Sequence, residues 1–412
     1  MNAPASADSS RVSVPAETPR LVTRMAPKLS IIAEGTGTKS QPSFVELTEV
    51  PLPAWRRLHE RAIEPNAYFH PLWALPVSRF ARDRSNALAL LAWDRVDPDR
   101  LIGLMPVRWA QRALSLPAPF LIGWNGYASL AIPTLDRDHA VEAAGALLDA
   151  ARKAGAYALF LPGTATDGEA FAAMKRALGE RGLSFDVMRS FRRAALNATQ
   201  DADTLLRSAL GAKKLKELRR QRHRLEDAGD ISIEIASTPT DVTTALERFL
   251  VLEQKGWKGL RGTGLGQHAG DTAFIREASV ALAAEGLFEI ISLTRNGATI
   301  ASGLVLRDQD HAYFFKIAMD EDEARTSPGV QLTLDLTRHL CADAAIHFAD
   351  SSADGEHPMI DHIWRERIQI ADVFIPLYPS DPIAAAIKTL LRARYVAIEC
   401  VRTMRRFKEK LA

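Results

Sequence analysis

From Ser43 onward the chain alternates between runs of period-two hydrophobicity and longer runs of period 3.6, the patterns of half-buried strands and of amphipathic helices. Phe44–Val50 reads as a strand and Trp55–Ile63 as a helix, followed by a loop through Glu64-Pro65-Asn66-Ala67-Tyr68-Phe69-His70-Pro71. The apolar runs Asn86–Trp93 and Leu101–Trp109 pair across an Asp/Pro-rich turn. A Pro/Gly-rich passage through Trp124-Asn125-Gly126-Tyr127 leads to a helix over Asp138–Lys153. A buried strand (AYALFLP), a helix over Asp167–Arg181 and a short strand (LSFDVMR) complete the first half.

The second half repeats that order without obvious residue identity. Ile231–Ala236 alternates as a strand, and helices follow over Asp241–Gln254 and Asp271–Ala284. Leu287–Thr294 and Thr299–Leu306 flank Arg295-Asn296-Gly297, and Asn-Gly is the strongest short hairpin signal. His311–Met319 forms a third strand, turned back at Asp308-Gln309-Asp310. A helix opens at Ser327-Pro328-Gly329 and carries Leu332, Leu336 and Leu340 at a spacing that docks it on a sheet. The strand IHFAD, a helix over Met359–Arg367 and a strand over Gln369–Ile375 close the half. One element order met twice implies one α/β fold used twice. The expected division is a disordered tail over residues 1–40, repeats over 41–190 and 191–380, and a basic C-terminal helix over 381–412.

Composition adds boundaries rather than an activity. With 412 residues, 47% hydrophobic and 25% charged, the chain has room for two or three globular domains, and a net charge of +2 names no partner. Cys341 and Cys400 lie far apart in apolar helical patterns, which argues against a disulfide framework and for a reducing, cytoplasmic setting. No run of about 18 apolar residues is present. The acid-poor first 40 residues lack a signal-type apolar core with a cleavage site.

Charge is concentrated in Leu206–Leu225, where eight Lys and Arg, including Arg219, accompany the single acid Glu217. Leu206, Leu210, Leu215, Leu218 and Leu225 keep helical spacing, so one face can pack. The run reads either as a solvated face or as a positive wall steering phosphate-bearing ligands. No aromatic residue interrupts it, so base stacking is not indicated. The C-terminal helix from Pro382 joins an apolar face to Arg392, Arg394, Arg402, Arg405, Arg406, Lys408 and Lys410. It reads as a packed helix with a basic tail, or as a peripheral contact with a membrane surface.

The strand, turn and helix at His311–Leu340 are the candidate anion site. Free N–H groups of a first helical turn and the macrodipole favour an anion; Pro328 suits that turn, and Gly329 allows close approach. Ser327, Pro328, Gly329 and Val330 are therefore the expected contacts for a phosphate-type anion; that this is the diphosphate of an acyl-CoA is what the family resemblance below implies. Lys316, the polar exception in a strand buried on both faces, is a further expected cofactor contact at a cleft edge, with a local ion pair to Asp320–Glu323 as the plainer alternative. His357, Asp361 and His362 mimic a catalytic or metal pattern, but nothing nearby in sequence completes it, and no metal is expected. No Gly-x-Ser-x-Gly elbow occurs, which disfavours a serine hydrolase.

Several of these pieces together resemble a known family. They are Lys213–Arg224, Glu253-Gln254-Lys255-Gly256-Trp257-Lys258, the hairpin with Tyr313, Ser327-Pro328-Gly329, and Asp350 with Gly355–Trp364. Residues 190–376 are similar to the GNAT acyltransferase superfamily, in particular the tandem FemAB-like and cellulose-biosynthesis-associated (CelD-type) branch. Glu64-Pro65-Asn66 and Leu104-Met105-Pro106-Val107 resemble that branch's N-terminal repeat. The usual Gln/Arg-x-x-Gly-x-Gly/Ala signature is missing, because Thr326 and Gln331 flank Gly329.

The resemblance implies two tandem GNAT-like mixed-sheet domains and a sheet that splays between His311–Met319 and Ile346–Asp350. It also implies acetyl-CoA or a longer acyl-CoA as co-substrate, attacked directly by an amine or hydroxyl. The acceptor would be an envelope polysaccharide, a lipid or an amine. Glu253, Asp350 and His357 are the candidate bases, Tyr313 the candidate acid for the leaving thiolate, and Trp257, Lys258 and Arg219 the substrate contacts. Aminoacyl transfer from charged tRNA, with Lys213–Arg224 on the RNA, and a non-catalytic binding protein are the alternatives.

Overall fold

A computed structural model describes residues 41–82, 87–111 and 118–411, with the side chains of Trp257, Lys258, Glu399, Val401, Arg402 and 405–411 outside the description. The expected tail over residues 1–40 lies outside the described residues, as do Asn86 and the basic side chains at the end of the last helix.

Residues 41–411 build one sheet. Its strands are β1 (Phe44–Glu46), β2 (Leu88–Trp93), β3 (Leu101–Trp109), β4 (Phe120–Gly123), β5 (Thr134–Leu135), β6 (Ala158–Ala165), β7 (Asp186–Asn197), β8 (Ile231–Ala236), β9 (Phe288–Arg295), β10 (Ala298–Asp308), β11 (His311–Met319), β12 (Phe348–Asp350) and β13 (Glu366–Pro376). The order is β1-β2-β3-β4-β6-β13-β7-β12-β11-β10-β9-β8, with β5 added on β3. From either edge the sequence of pairings is the same: an antiparallel meander, one parallel pair, one antiparallel pair. The parallel pairs are β4 with β6 and β11 with β12. At the centre the halves have exchanged their last strands. β7 follows the first half in sequence but lies on β12, and β13 follows the second half but lies on β6. β7 and β13 then pair antiparallel over most of their length and join the two halves.

Nine helices are described: α1 (Leu52–Glu60), α2 (Pro71–Phe80), α3 (Ala140–Lys153), α4 (Glu169–Glu180), α5 (Ala202–Asp227), α6 (Pro239–Lys255), α7 (Ala269–Ala283), α8 (Pro328–Ala342) and α9 (Pro382–Leu411), besides shorter turns. Helices α3 and α8 are the crossovers that parallel pairing requires. Between Ile300 and Leu306 strand β10 is buried on both faces, as a central strand covered by helices must be. The Asn296-Gly297 turn has positive φ at both residues (49° and 77°), the geometry that Asn-Gly favours in a two-residue hairpin.

Several elements depart from the sequence reading. The expected strand Phe44–Val50 ends at Glu46, where Leu47–Glu49 form a 3-10 turn; the strand expected at LSFDVMR runs from Asp186 on to Asn197; and IHFAD is strand only over Phe348–Asp350. α2 was hidden by Pro71 and Pro76; Pro71 occupies the first turn, where no N–H is missed, and His70 Nδ1 caps the helix by accepting from the Leu72 N–H. The expected helix over Met359–Arg367 shrinks to a turn at Ile360–Ile363, because Glu366 already belongs to β13. β4 was not foreseen; it has four residues, all buried.

Candidate functional site

β11 and β12 run together for three residue pairs, ending at Tyr313 opposite Asp350. Beyond that pair β12 stops, while β11 continues to Met319. The divergence coincides with a bulge: Leu304 pairs with Lys316 and Val305 with Phe314, so Phe315 is the extra residue on β11. Pairing of β11 with β12 therefore ends just before the bulge, at the place where the splay is expected.

The N-terminus of α8 lies against the outer part of β11. Ser327 takes a left-handed conformation (φ 52°, ψ 55°), and its carbonyl accepts from the Val330 and Gln331 N–H groups at 2.9 and 3.0 Å. A Cβ on Gly329 would stand 3.0 Å from Met319 Sδ and 3.6 Å from Ile317 Cδ1. Helix α5 closes on the same turn: Gln331 Nε2 donates to the Leu218 carbonyl at 2.9 Å, and Arg222 pairs with Asp335 at 2.9 Å. Lys213, Lys214, Lys216, Arg219 and Arg220 are exposed on this stretch of α5, which begins at a kink at Gly211 (φ 70°). Arg219 and Arg222 also line a groove of about 250 Å³ between α5 and α8. A helix N-terminus flanked by cations suits an anionic group.

Lys316 does not pair with the acids that follow it. Its Nζ is 2.9 Å from Glu253 Oε1 on α6, while Glu253 Oε2 accepts from the Leu265 N–H at 2.7 Å. Of the local acids, Glu323 pairs with Arg295 at 2.6 Å. Glu253, 2% exposed, thus ties α6, the Leu265 turn and the bulged part of β11 together. The chain then turns at Gly256 toward the end of β11, since a Cβ there would lie 3.3 Å from Glu321 Oε1. The backbone of Trp257–Leu260 follows as one helical turn.

At the base of the splay lies a buried polar cluster shared by both halves. Asp350 Oδ2 receives Arg193 Nη2 at 2.6 Å, both side chains 2% exposed, and Asp350 Oδ1 accepts from the Ser352 N–H at 2.8 Å. Arg193 Nη1 donates to the Ser129 carbonyl at 2.8 Å. Tyr68 and Ser352 hydroxyls are 2.6 Å apart. Tyr313 donates its hydroxyl to the Pro65 carbonyl at 2.7 Å, and the Asn66 N–H donates to Asp308 Oδ2 at 2.7 Å. Burial, with Asp308, Asp350 and Glu64 nearby, holds the Tyr313 phenol well above its ordinary range. Burial and Asp350 push the Tyr68 phenol up to about 12. Glu64 Oε2 accepts from the Ala170 N–H, yet burial, reinforced by Asp167 and Glu169, raises this carboxyl to about 7.

His357 stands apart from this cluster in role. Half-buried, its Nδ1 accepts from the Met359 and Ile360 N–H groups at 3.3 and 3.4 Å and caps the turn at Ile360–Ile363. Geometry therefore brings Tyr313 and Asp350 together, joins Lys316 to Glu253, sets Ser327–Val330 on the outer part of β11, and puts Arg219 in the α5–α8 groove beside Gln331. Tyr68, Arg193, Ser129 and Ser352 were missed. Only the placement of Arg193 in the apolar run Ala194-Ala195-Leu196 hinted at a buried cation.

Comparisons with known proteins bear on the fold. Residues 212–355 match the family model described as acetyltransferase (GNAT) domain. Among solved structures, the C-terminal domain of a lysylphosphatidylglycerol synthetase from Agrobacterium fabrum superimposes with a TM-score of 0.53 at 11% identity, covering 82% of this chain and 95% of that one. FemX superimposes with a TM-score of 0.52 at 10% identity, covering 84% of this chain and 99% of that one. No curated protein sequence matches. The match to the GNAT acetyltransferase domain model thus falls within an α/β fold of two GNAT-like halves in one large mixed sheet.

Proposed function

We propose that the protein is an acyl-CoA-dependent acyltransferase whose donor lies in the splay between β11 and β12. The observation that carries this reading is the first turn of α8, packed on the bulged strand with the cations of α5 beside it. In this reading the Gly329 N–H and the dipole of the Ser327–Val330 turn receive the donor diphosphate, since the Ser327 and Val330 N–H groups are already bonded within the turn, and Arg219 with its neighbours steers it. The Lys316–Glu253 pair fixes the bulge, and the backbone near Phe315 faces the carbonyl to be attacked. The thioester supplies the activated acyl group; the nucleophile is an amine or hydroxyl of a polysaccharide, lipid or lipid-amine acceptor, as the CelD-type resemblance implies.

Asp350, oriented by Arg193, is the base candidate best placed at the cleft floor. Tyr313 and Tyr68 keep their protons at neutral pH; Tyr313 would have to give up its hydrogen bond to the Pro65 carbonyl to act as the acid, while Tyr68 shares its hydroxyl with Ser352. Trp257 and Lys258 follow the Gly256 turn, on the acceptor side. Thermal shift and calorimetric titration with acetyl-CoA, a longer acyl-CoA and free CoA test the reading. Gly329→Trp, with circular dichroism confirming its fold, should abolish binding; unchanged affinity places the donor elsewhere.

A second reading is favoured by one observation, the row of exposed cations on α5. It is aminoacyl transfer from charged tRNA, and one structural neighbour carries the name of a synthetase of an aminoacyl lipid. RNA binding by that route must weaken steeply with salt. Absence of RNA binding at low salt rejects it. Among the described residues no helix is long and apolar enough to cross a membrane, so a lipid acceptor would be met at a surface, for instance through α9.

A further inference from the structure

Helix α9 changes character partway along its length. Over its first turns it is anchored: Ala384, Ile387 and Leu391 are buried among Phe120, Ile122, Phe160 and Phe374, and the Lys388 ammonium pairs with Asp186 at 2.9 Å. The Tyr395 hydroxyl donates to Asp372 Oδ2 at 2.6 Å and ends this packed stretch. Beyond it the helix continues to Leu411, and every described side chain from Val396 to Met404 is exposed. The rise of a helix carries this second part roughly 24 Å further.

An apolar stripe runs into the second part, but on another side of the helix. Leu390, Ala397, Cys400, Met404, Phe407 and Leu411 recur at helical spacing, roughly 150° round the helix from Ala384, Ile387 and Leu391. The described members of the stripe are turned away from the sheet and exposed, Leu390 at 41% and Met404 at 59%, and Val396 on its border reaches 63%. By spacing, Arg394, Arg405 and Lys408 follow one edge of the stripe and Arg392 and Lys410 the other, while Glu399 and Glu409 fall on the remaining side.

An exposed apolar face of this length calls for a cover. A second copy fits poorly, because it would bring cations and no acid to the edges where paired helices exchange opposite charges. Anionic lipid fits on both counts: the stripe enters the acyl boundary, and the long Arg and Lys stems lie along it with their charges at the lipid phosphates. We propose that α9 docks the protein on an anionic bilayer surface, lying in its plane with the stripe from Leu390 to Leu411 toward the acyl chains. Such docking would bring the protein to a lipid acceptor, and it does not depend on the identity of the acyl donor.

Co-sedimentation of the full chain with vesicles of phosphatidylcholine, with and without phosphatidylglycerol, tests it. Binding to the anionic vesicles is expected, released by salt, and at least about tenfold weaker to the neutral ones, since each cation at the surface is worth about fivefold. Met404→Asp and Leu390→Asp should each weaken it at least about tenfold, the least that burying such a side chain contributes, with an unchanged Tm because both positions are exposed. Arg394→Gln, exposed at the edge of the stripe, should weaken it about fivefold. No binding to anionic vesicles, equal binding to neutral ones, or full binding by Met404→Asp each overturns the proposal. A dimer in lipid-free buffer that Met404→Asp dissolves, without vesicle binding, gives the face to a second copy and also overturns it. Gly329→Trp should still bind vesicles, and Met404→Asp should still bind acyl-CoA; a wild type that binds vesicles and no acyl-CoA would sink the donor reading alone.

Discussion

Removing either member of the Arg193–Asp350 pair should cost more than its size suggests. Both side chains are 2% exposed, so each single change strands the other charge with little water to receive it. In Arg193→Met the Asp350 carboxylate keeps only the Ser352 N–H; in Asp350→Asn the guanidinium keeps the Ser129 carbonyl but loses its counter-charge. Breaking a buried pair in this way costs about 3–5 kcal/mol. With roughly 370 ordered residues the unfolding entropy is on the order of 0.8 kcal/mol per degree, so each single variant should melt roughly 4–6 °C below wild type. The double variant leaves no uncompensated charge and should recover most of the loss. Thermal melts of the four proteins measure it. Additive effects, each under about 1 kcal/mol, would refute the view that the floor of the splay is a desolvated charge pair. Activity of the double variant then separates roles: if Asp350 only positions the loop, stability and turnover return together. If it is the base, turnover stays lost.

Four further outcomes follow from the same geometry. Lys316→Met should destabilise more than Glu253→Gln in urea unfolding, because the stranded carboxylate is 1% exposed and the stranded ammonium 16%. Glu64→Gln should stabilise the protein at pH 8, on the order of 1–3 kcal/mol, and do little at pH 4. The sign follows from a folded carboxyl at about 7 against 4.5 unfolded: its contribution is present below the lower value and lost as pH rises through the upper. Equal effects at both pH values would count against the burial of Glu64. Gln331→Met should loosen α5 from α8 and weaken donor binding several-fold with little change in Tm. Arg219→Glu should weaken it mainly at low salt, in titrations across ionic strength; salt-independent loss would mean a direct contact instead of steering.

Local chemistry made parts of this protein readable from sequence. Asn296-Gly297 announces its hairpin because few residue pairs accept two positive φ values, and Ser327-Pro328-Gly329 announces a helix start for related reasons. The exchange of β7 and β13 could not be read, since strand partners are set by contacts between distant segments such as Ile370 with Ala165 and Phe191. The same limit hid the site's wiring. Lys316 passes over four acids within seven residues to reach Glu253 on another helix, because β11 carries it toward α6 and Glu323 is held by Arg295. Tyr313 and Asp350 are legible as candidates, but their partners Pro65 and Arg193 lie more than 150 residues away.

The donor site is the central claim, and ligand-induced stabilisation tests it most directly. With acetyl-CoA or a longer acyl-CoA at a hundredfold excess over Kd, the protein should gain about 2.7 kcal/mol, a rise in Tm of roughly 3–4 °C. The same ligands should leave Gly329→Trp unmoved. A wild-type Tm indifferent to acetyl-CoA, longer acyl-CoA and free CoA at millimolar concentration would contradict the claim.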